Sequence, residues 1–227
     1  PLGAAFGLAP GTEDDEDPTP LLYVADAVQG LVKISMNKEV EVVSTKANNR
    51  KIKYANDVAV GPVSGNVYFT DSTDIAPYPV KNGSETVLYD TLGASIEDLL
   101  RSRRTGRLLK YNPNSGKTTE MLDGIWFANG VTVSKDEKYV LVCETFAARI
   151  LKVKVAGDKA RPEAFSRRPL PGYCDGINYS NDGKKVLVSI PTPPPKIVRL
   201  LKVLPAPLAY LIRCILVMLP PSLRPVS

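Results

Sequence analysis

Three short stretches of this 227-residue chain open alike: Asn56-Asp57-Val58-Ala59-Val60, Asn129-Gly130-Val131-Thr132-Val133 and Asp175-Gly176-Ile177-Asn178-Tyr179. Each is a polar pair, a strand-like run, a turn and a second strand-like run. The turns are Val63-Ser64-Gly65-Asn66, Ser134-Lys135-Asp136-Glu137 and Ser180-Asn181-Asp182-Gly183. The runs that follow them are Val67–Thr70, Tyr139–Val142 and Val186–Val188. Third runs begin at Gly106 and Arg149. An Asn-Gly pair ordinarily makes a tight turn, yet Asn129-Gly130 stands at the mouth of a strand. Pro1–Phe6 with Leu22–Asp26 reads as an earlier copy with a longer turn. Asn129 and Asp175 lie 46 residues apart, and the preceding interval is lengthened by an insertion near residues 74–104.

Meanders of four short strands recurring every 40–50 residues or so mark an all-β propeller. Three blades are predicted near 1–45, 54–123 and 127–167, with the start of a fourth. In a propeller the first strand of each blade lines the central channel. Residues at its entrance point from successive blades toward one axis. Oxygen-bearing side chains there suit Ca²⁺, which takes six to eight oxygen ligands. The plainer alternative is that Asn56, Asn129 and Asp175 only cap strand entrances and turns.

Charge and composition narrow the functions further. The net charge is +5, but no acidic residue follows Asp182, and that tail carries seven cations. The remainder holds 22 basic and 24 acidic side chains, a net of −2, so no nucleic-acid partner is expected. The chain has no histidine, which excludes Ser-His-Asp triads, imidazole proton shuttles and histidine metal sites. Cys143, Cys174 and Cys214 form no CxxC pair; Cys143 reads as a small core residue, and one disulfide of undetermined pairing is allowed. No leader segment is visible, and the chain starts with Pro-Leu-Gly instead of Met, which reads as part of a longer product.

The stretches LYVADAVQGLVKI, YANDVAVGPVSGNVYFTDS, TGRLLKYNPNSGKTTEMLDGIWFANGV, ETFAARILKV and LPGYCDGINYSNDGKKVLVSI occur in this order. In them the chain resembles the strictosidine synthase-like branch of six-bladed propellers, which includes the plant proteins of that name and adipocyte plasma membrane-associated protein. The resemblance covers most of residues 1–190. It implies a six-bladed fold of which about three and a half blades are present. It places Asn56, Asn129 and Asp175 among channel-lining calcium ligands, with Asp57 beside them. A half ring leaves two edges exposed, so weak calcium binding is expected of this polypeptide by itself. Asp71, in the FTDS stretch, is expected to form a turn.

The resemblance also has limits. Asp175-Gly176 stands where the family has Asp-Asn. An upstream ligating Glu of the relatives would precede Pro1. Where strictosidine synthase carries its glutamate, this chain reads Ile190-Pro191-Thr192-Pro193. The Pictet–Spengler condensation needs a positioned acid–base group, so that activity is not expected. The resemblance then implies a calcium-dependent hydrolase of small esters or lactones, with Asp57 acting on water. The alternative is a non-catalytic, membrane-associated binding scaffold.

Ser95–Leu100 reads as a short helix with Ser95 as N-cap. The resemblance puts this insertion over the channel mouth. Arg101, Arg103, Arg104 and Arg107 are expected to be solvated or paired with acidic loops. Residues 191–227 form a second, Pro-rich, apolar and basic segment. Within it, Ile197–Leu219 predicts two helices broken at Pro205-Ala206-Pro207, packing on the propeller or touching a membrane surface, with a true membrane span as the alternative that its length allows. Asn82-Gly83-Ser84 is a glycosylation sequon, consistent with a secretory, endomembrane or vacuolar location.

Overall fold

A computed structural model describes residues 1–9, 19–80, 87–156, 162–166, 168–220 and 223 of the protein. Asn82 lies outside them. Sheet I is the antiparallel meander β1 (Gly3–Leu8), β2 (Pro20–Asp26), β3 (Gly30–Ser35) and β4 (Val40–Ser44). A small hairpin, β5 (Lys46–Ala47) and β6 (Arg50–Lys51), leads into sheet II. Sheet II begins with β7 (Ala55–Val60) and β8 (Val67–Asp71). The insertion then carries the hairpin β9 (Tyr78–Val80) and β10 (Leu88–Asp90) and helix α1 (Thr91–Arg101). The chain returns to complete sheet II with β11 (Gly106–Asn112) and β12 (Lys117–Ile125). Sheet III is β13 (Ala128–Val133), β14 (Tyr139–Glu144), β15 (Arg149–Lys154) and β16 (Glu163–Ala164). Sheet IV holds β17 (Ile177–Tyr179) and β18 (Val186–Val188). Helices α2 (Lys196–Val203) and α3 (Ala206–Met218) follow, separated at Pro205.

The sheets stack face to face, which explains why the middle strands read as nearly unbroken apolar runs. Side chains alternate between the two faces of a strand. In sheet II, Val67, Phe69, Leu109 and Tyr111 pack toward Leu21, Tyr23 and Leu31 of sheet I. Tyr68 and Leu108 turn the other way, onto Val140, Val142, Leu151 and Val153 of sheet III. The opposite face of sheet III, Leu141, Cys143 and Ile150, meets Cys174 and Ile177 at the entrance of sheet IV. Cys143 and Cys174 are free, buried thiols. Cys143 is core, as its apolar surroundings predict, and the hydrogen bond with Cys174, together with burial, pushes its thiol pKa up.

Buried ion pairs tie the second and third strands of two sheets together. Asp71 at the end of β8 accepts from Arg107 Nε at 3.1 Å and Nη2 at 2.6 Å. Its other oxygen accepts from the backbone N–H groups of Lys53 and Tyr54, pinning the approach to β7. Asp71 is therefore a clamp instead of a turn-former. Arg107 is fully buried. Of the two expected settings, solvation or an acidic partner, Arg107 has the second: Asp71, the Ala47 and Lys51 carbonyls, and Glu120 surround its guanidinium. Sheet III repeats the device, with buried Glu144 at the end of β14 accepting from Arg149 and Arg104. Arg103 pairs with Asp74 and Arg101 with Glu97.

Helix α1 starts four residues before the expected point. Asp90 is its N-cap, accepting from Gly93 N–H at 2.7 Å. Asp serves this position as well as Ser does, and Ser95 instead donates to the Leu92 carbonyl inside the first turn.

Replacing Arg107 by Met leaves a buried carboxylate without its cation, and we expect a loss of about 3–5 kcal/mol in urea unfolding. Arg103→Met, at a half-exposed pair, should cost under about 1 kcal/mol in the same assay.

Candidate functional site

The first strands of the four sheets lie side by side in chain order: β1 packs on β7, β7 on β13, and β13 on β17. The β7–β8 ladder shifts register between Ala55 and Val58, and the β13–β14 ladder shifts between Ala128 and Val131. In each, three steps along the first strand oppose two along the second, so one extra residue is looped out. The shifts fall on Asn56-Asp57 and Asn129-Gly130. The polar pair is thus a bulge, not a hairpin turn, and a bulge re-aims side chains away from the ladder.

Residues Leu2, Asn56, Asn129 and Asp175 line one cavity of about 640 Å³. They occupy the same position in the four copies of the repeat. Asn129 is buried, Asn56 half-buried and Asp175 exposed to the cavity. The Asn56 amide nitrogen donates to Ser72 Oγ at 2.9 Å, which fixes the amide and turns its carbonyl oxygen away from Ser72.

Short polar bridges hold successive entrances together. Ser72 Oγ donates to the Ala128 carbonyl and Thr70 Oγ1 to the Asn129 carbonyl. One sheet further on, Thr145 Oγ1 donates to the Cys174 carbonyl, and Gly130 N–H donates to the Asp175 carbonyl at 2.9 Å. The backbones are too close for a side chain between them. A Cβ on Gly130 would stand 2.3 Å from the Asp175 carbonyl oxygen, and one on Gly3 would stand 2.4 Å from Asp57 Oδ1.

Asp57 does not line the cavity. Its Oδ1 accepts from Val58 N–H, and its Oδ2 accepts from Val131 N–H on the next sheet, both at 2.9 Å. Burial raises its pKa, the two amides oppose that, and the nearby Asp175 charge adds to it. The carboxylate expected to act on water is thus already engaged: Oδ1 holds the next amide of its own strand, and Oδ2 joins β7 to β13.

The cavity has an aromatic wall that the sequence reading passed over. Tyr54, Phe127 and Tyr173 each stand two residues before the polar position, in Tyr-Ala-Asn, Phe-Ala-Asn and Tyr-Cys-Asp. All three line the cavity, with Phe146 between the last two. Ring centroids are 5.6 Å apart for Tyr54–Phe127, 4.9 Å for Phe127–Phe146 and 5.3 Å for Phe146–Tyr173. Burial pushes the phenols of Tyr54 and Tyr173 up to about 12, so both stay protonated at neutral pH. Helix α1 covers one side with Leu92, Ser95, Ile96 and Leu99, and Tyr54 donates to the Thr91 carbonyl at 3.1 Å. Pro191, Thr192, Pro193 and Pro195 close another side.

Residues 56–158 match the sequence model of the family described as strictosidine synthase. Strictosidine synthase-like 7 of Arabidopsis thaliana is 34% identical over 184 residues, covering 81% of this chain and 42% of that protein. The adipocyte plasma membrane-associated protein Hemomucin of Drosophila melanogaster is 32% identical over 189 residues, covering 80% of this chain and 29% of that protein. The chain belongs to the strictosidine synthase-like family. It spans less than half the length of these relatives. Among solved structures, a gluconolactonase from Xanthomonas campestris superposes with a TM-score of 0.53 at 18% identity, covering 76% of this chain and 53% of that one. Regucalcin, a calcium-binding protein from Agrobacterium tumefaciens, gives 0.50 at 14% identity, covering 81% and 52%. These likenesses establish a propeller-like fold and nothing about activity.

The donor set of this strictosidine synthase-like chain fits a hard cation: two amide oxygens and one carboxylate, all oxygen. Among the described residues, no group of three or more His, Cys, Asp or Glu could hold a metal.

Asp98 on α1 is fully buried, and one of its oxygens has no partner; the other accepts from Thr73 Oγ1 at 2.7 Å. Burial pushes its pKa up to about 7. A carboxyl whose pKa is higher folded than unfolded stabilises fully below the unfolded value of 3.8 and loses that contribution as pH rises toward 7. Asp98→Asn should therefore raise the melting temperature at pH 8, by the equivalent of about 1–3 kcal/mol, and flatten the decline between pH 4 and 7 or so. Thermal melts across pH check this.

Proposed function

We propose that the four sheets are successive blades of a six-bladed ring whose channel binds Ca²⁺ beside a small ester or lactone. Asn56, Asn129 and Asp175 supply the protein's oxygen ligands. The observation that carries this reading is their common place in one cavity lining, each from a different sheet and each at the same phase of the repeat. The calcium-binding and gluconolactonase names of two fold neighbours lend support without identifying a substrate.

A bound calcium would polarise a substrate carbonyl. The chain's own residues do the rest. Tyr54, Phe127, Phe146 and Tyr173 form an apolar wall that excludes water from one side of the ligand. Helix α1 and the Pro191–Pro195 stretch limit its size. Strictosidine synthase chemistry is no part of the proposal, since Pro191, Thr192 and Pro193 stand where the resemblance puts that enzyme's glutamate. Asp57 positions β7 against β13. A secretory or membrane-bound location belongs to the same reading and draws support from the name of the Drosophila relative.

One observation favours a second reading, a binding protein without turnover. Asp175 is the sole carboxylate among the described lining residues. With it serving the cation, no other acid in the lining is left to act on water.

Calorimetric titration should show weak one-to-one Ca²⁺ binding, with a dissociation constant on the order of 10⁻⁴–10⁻³ M. Asn129→Ala and Asp175→Ala should abolish it while circular dichroism stays unchanged. Chelator-sensitive hydrolysis of an aryl ester or lactone, lost in Asp175→Ala, identifies the hydrolase. Calcium binding without hydrolysis identifies the second reading. No binding up to about 10 mM, or binding indifferent to both substitutions, overturns the site.

A further inference from the structure

Helix α3 is apolar on two faces, and only one is covered. Ala209, Ile212 and Leu216 pack with Ile96 and Leu100 of α1. On another side, Leu208, Leu211, Ile215 and Met218 recur at helical spacing and are between 45% and 83% exposed. Leu200 and Val203 of α2 are exposed as well, at 49% and 78%. An apolar patch of this extent is seldom left facing water.

The charges carried by this C-terminal segment itself are of one sign. Every charged residue from 183 to 227 is basic, while the rest of the chain is slightly acidic. Lys196 and Arg199 belong to α2 itself. A groove of about 460 Å³ between α1 and α3 joins Leu100, Val217 and Met218 to Arg101, Arg103 and Arg213. Arg101 and Arg103 each have one acidic partner, and Arg213 donates to the Leu99 carbonyl and to Ser102. A guanidinium has five N–H donors, so these contacts leave donors over for an anion. An apolar floor beside cationic donors matches the acyl chains and phosphates of an anionic lipid surface. A second copy fits worse, because pairing the stripes would bring like charges together.

Length decides between lying on the membrane and crossing it. Thirteen residues of α3 span about 20 Å, against about 30 Å of hydrocarbon. Among the described residues no helix is long and apolar enough to cross. Pro191, Thr192, Pro193 and Pro195, directly before α2, line the cavity of the candidate site.

We propose that the bare face of α3, helped by the basic residues of α2, seats this protein on an anionic phospholipid surface at interfacial depth. The test is co-sedimentation of the full chain with vesicles of phosphatidylcholine alone or with about one-third phosphatidylserine. Binding to the serine-containing vesicles should exceed binding to phosphatidylcholine at least about tenfold and should weaken with salt. Leu211→Glu/Ile215→Glu should abolish it with an unchanged thermal melt, since both side chains are exposed. Lys196→Glu/Arg199→Glu should weaken it severalfold. Equal binding by Leu211→Glu/Ile215→Glu, or none to either vesicle, would overturn the proposal. So would a dimer without lipid, by light scattering, that Leu211→Glu/Ile215→Glu makes monomeric.

Discussion

The arrangement depends on how closely the first strands of neighbouring sheets approach at their entrances. At Gly130 the backbone of β13 touches the segment entering β17, with a carbonyl where a side chain would otherwise be. At Gly3 the same approach brings β1 against Asn56 and Asp57. Between these two contacts, Asp57 spans β7 and β13 with its carboxylate instead of its backbone. In the pairs Asn56-Asp57 and Asn129-Gly130 the second residue therefore sets the distance to the next sheet. The first residue is left to face the cavity. One looped-out residue in each of the β7–β8 and β13–β14 ladders separates these two tasks.

The far ends of the sheets are latched independently. Glu137, in the turn between β13 and β14, accepts from the Val63 and Ser64 N–H groups and from the Tyr68 hydroxyl of sheet II. Gly61 admits that carboxylate, since a Cβ there would stand 2.3 Å from it. Lys135 in the same turn donates to the Asn181 carbonyl of the next hairpin. With entrances stitched at one end and turns latched at the other, the sheets resist sliding, and the aromatic wall stays in register with the oxygen donors. That is the preorganisation a ligand site needs.

Much of this was legible in the residues. The repeat of polar pair, strand, turn and strand located the first two strands of sheets II, III and IV, and the proline break at Pro205 separated the last two helices. The convergence of Asn56, Asn129 and Asp175 followed from the phase of that repeat. What escaped had physical reasons. Asp57 looked like a spare carboxylate because sequence does not show that a bulge turns it toward Val131 N–H. The burial of Arg107 is not legible locally, because its acceptors come from residues up to 60 positions away. The Tyr54, Phe127 and Tyr173 wall was written at the same phase as the polar residues, but aromatic side chains near strands are ordinarily core, and nothing local distinguishes a cavity wall from a core.

The spacing of the entrances is tested most directly by comparing alanine at Gly130 with alanine at Gly176, equivalent positions in consecutive copies. A Cβ at Gly130 would meet backbone of the next sheet at 2.3, 2.8 and 2.9 Å, whereas one at Gly176 would meet only Ser189 Oγ at 3.4 Å. Urea unfolding should show Gly130→Ala destabilised by about 1–3 kcal/mol and Gly176→Ala within about 0.5 kcal/mol of the parent. Equal stability of the two variants would contradict an architecture held by close contact between neighbouring first strands.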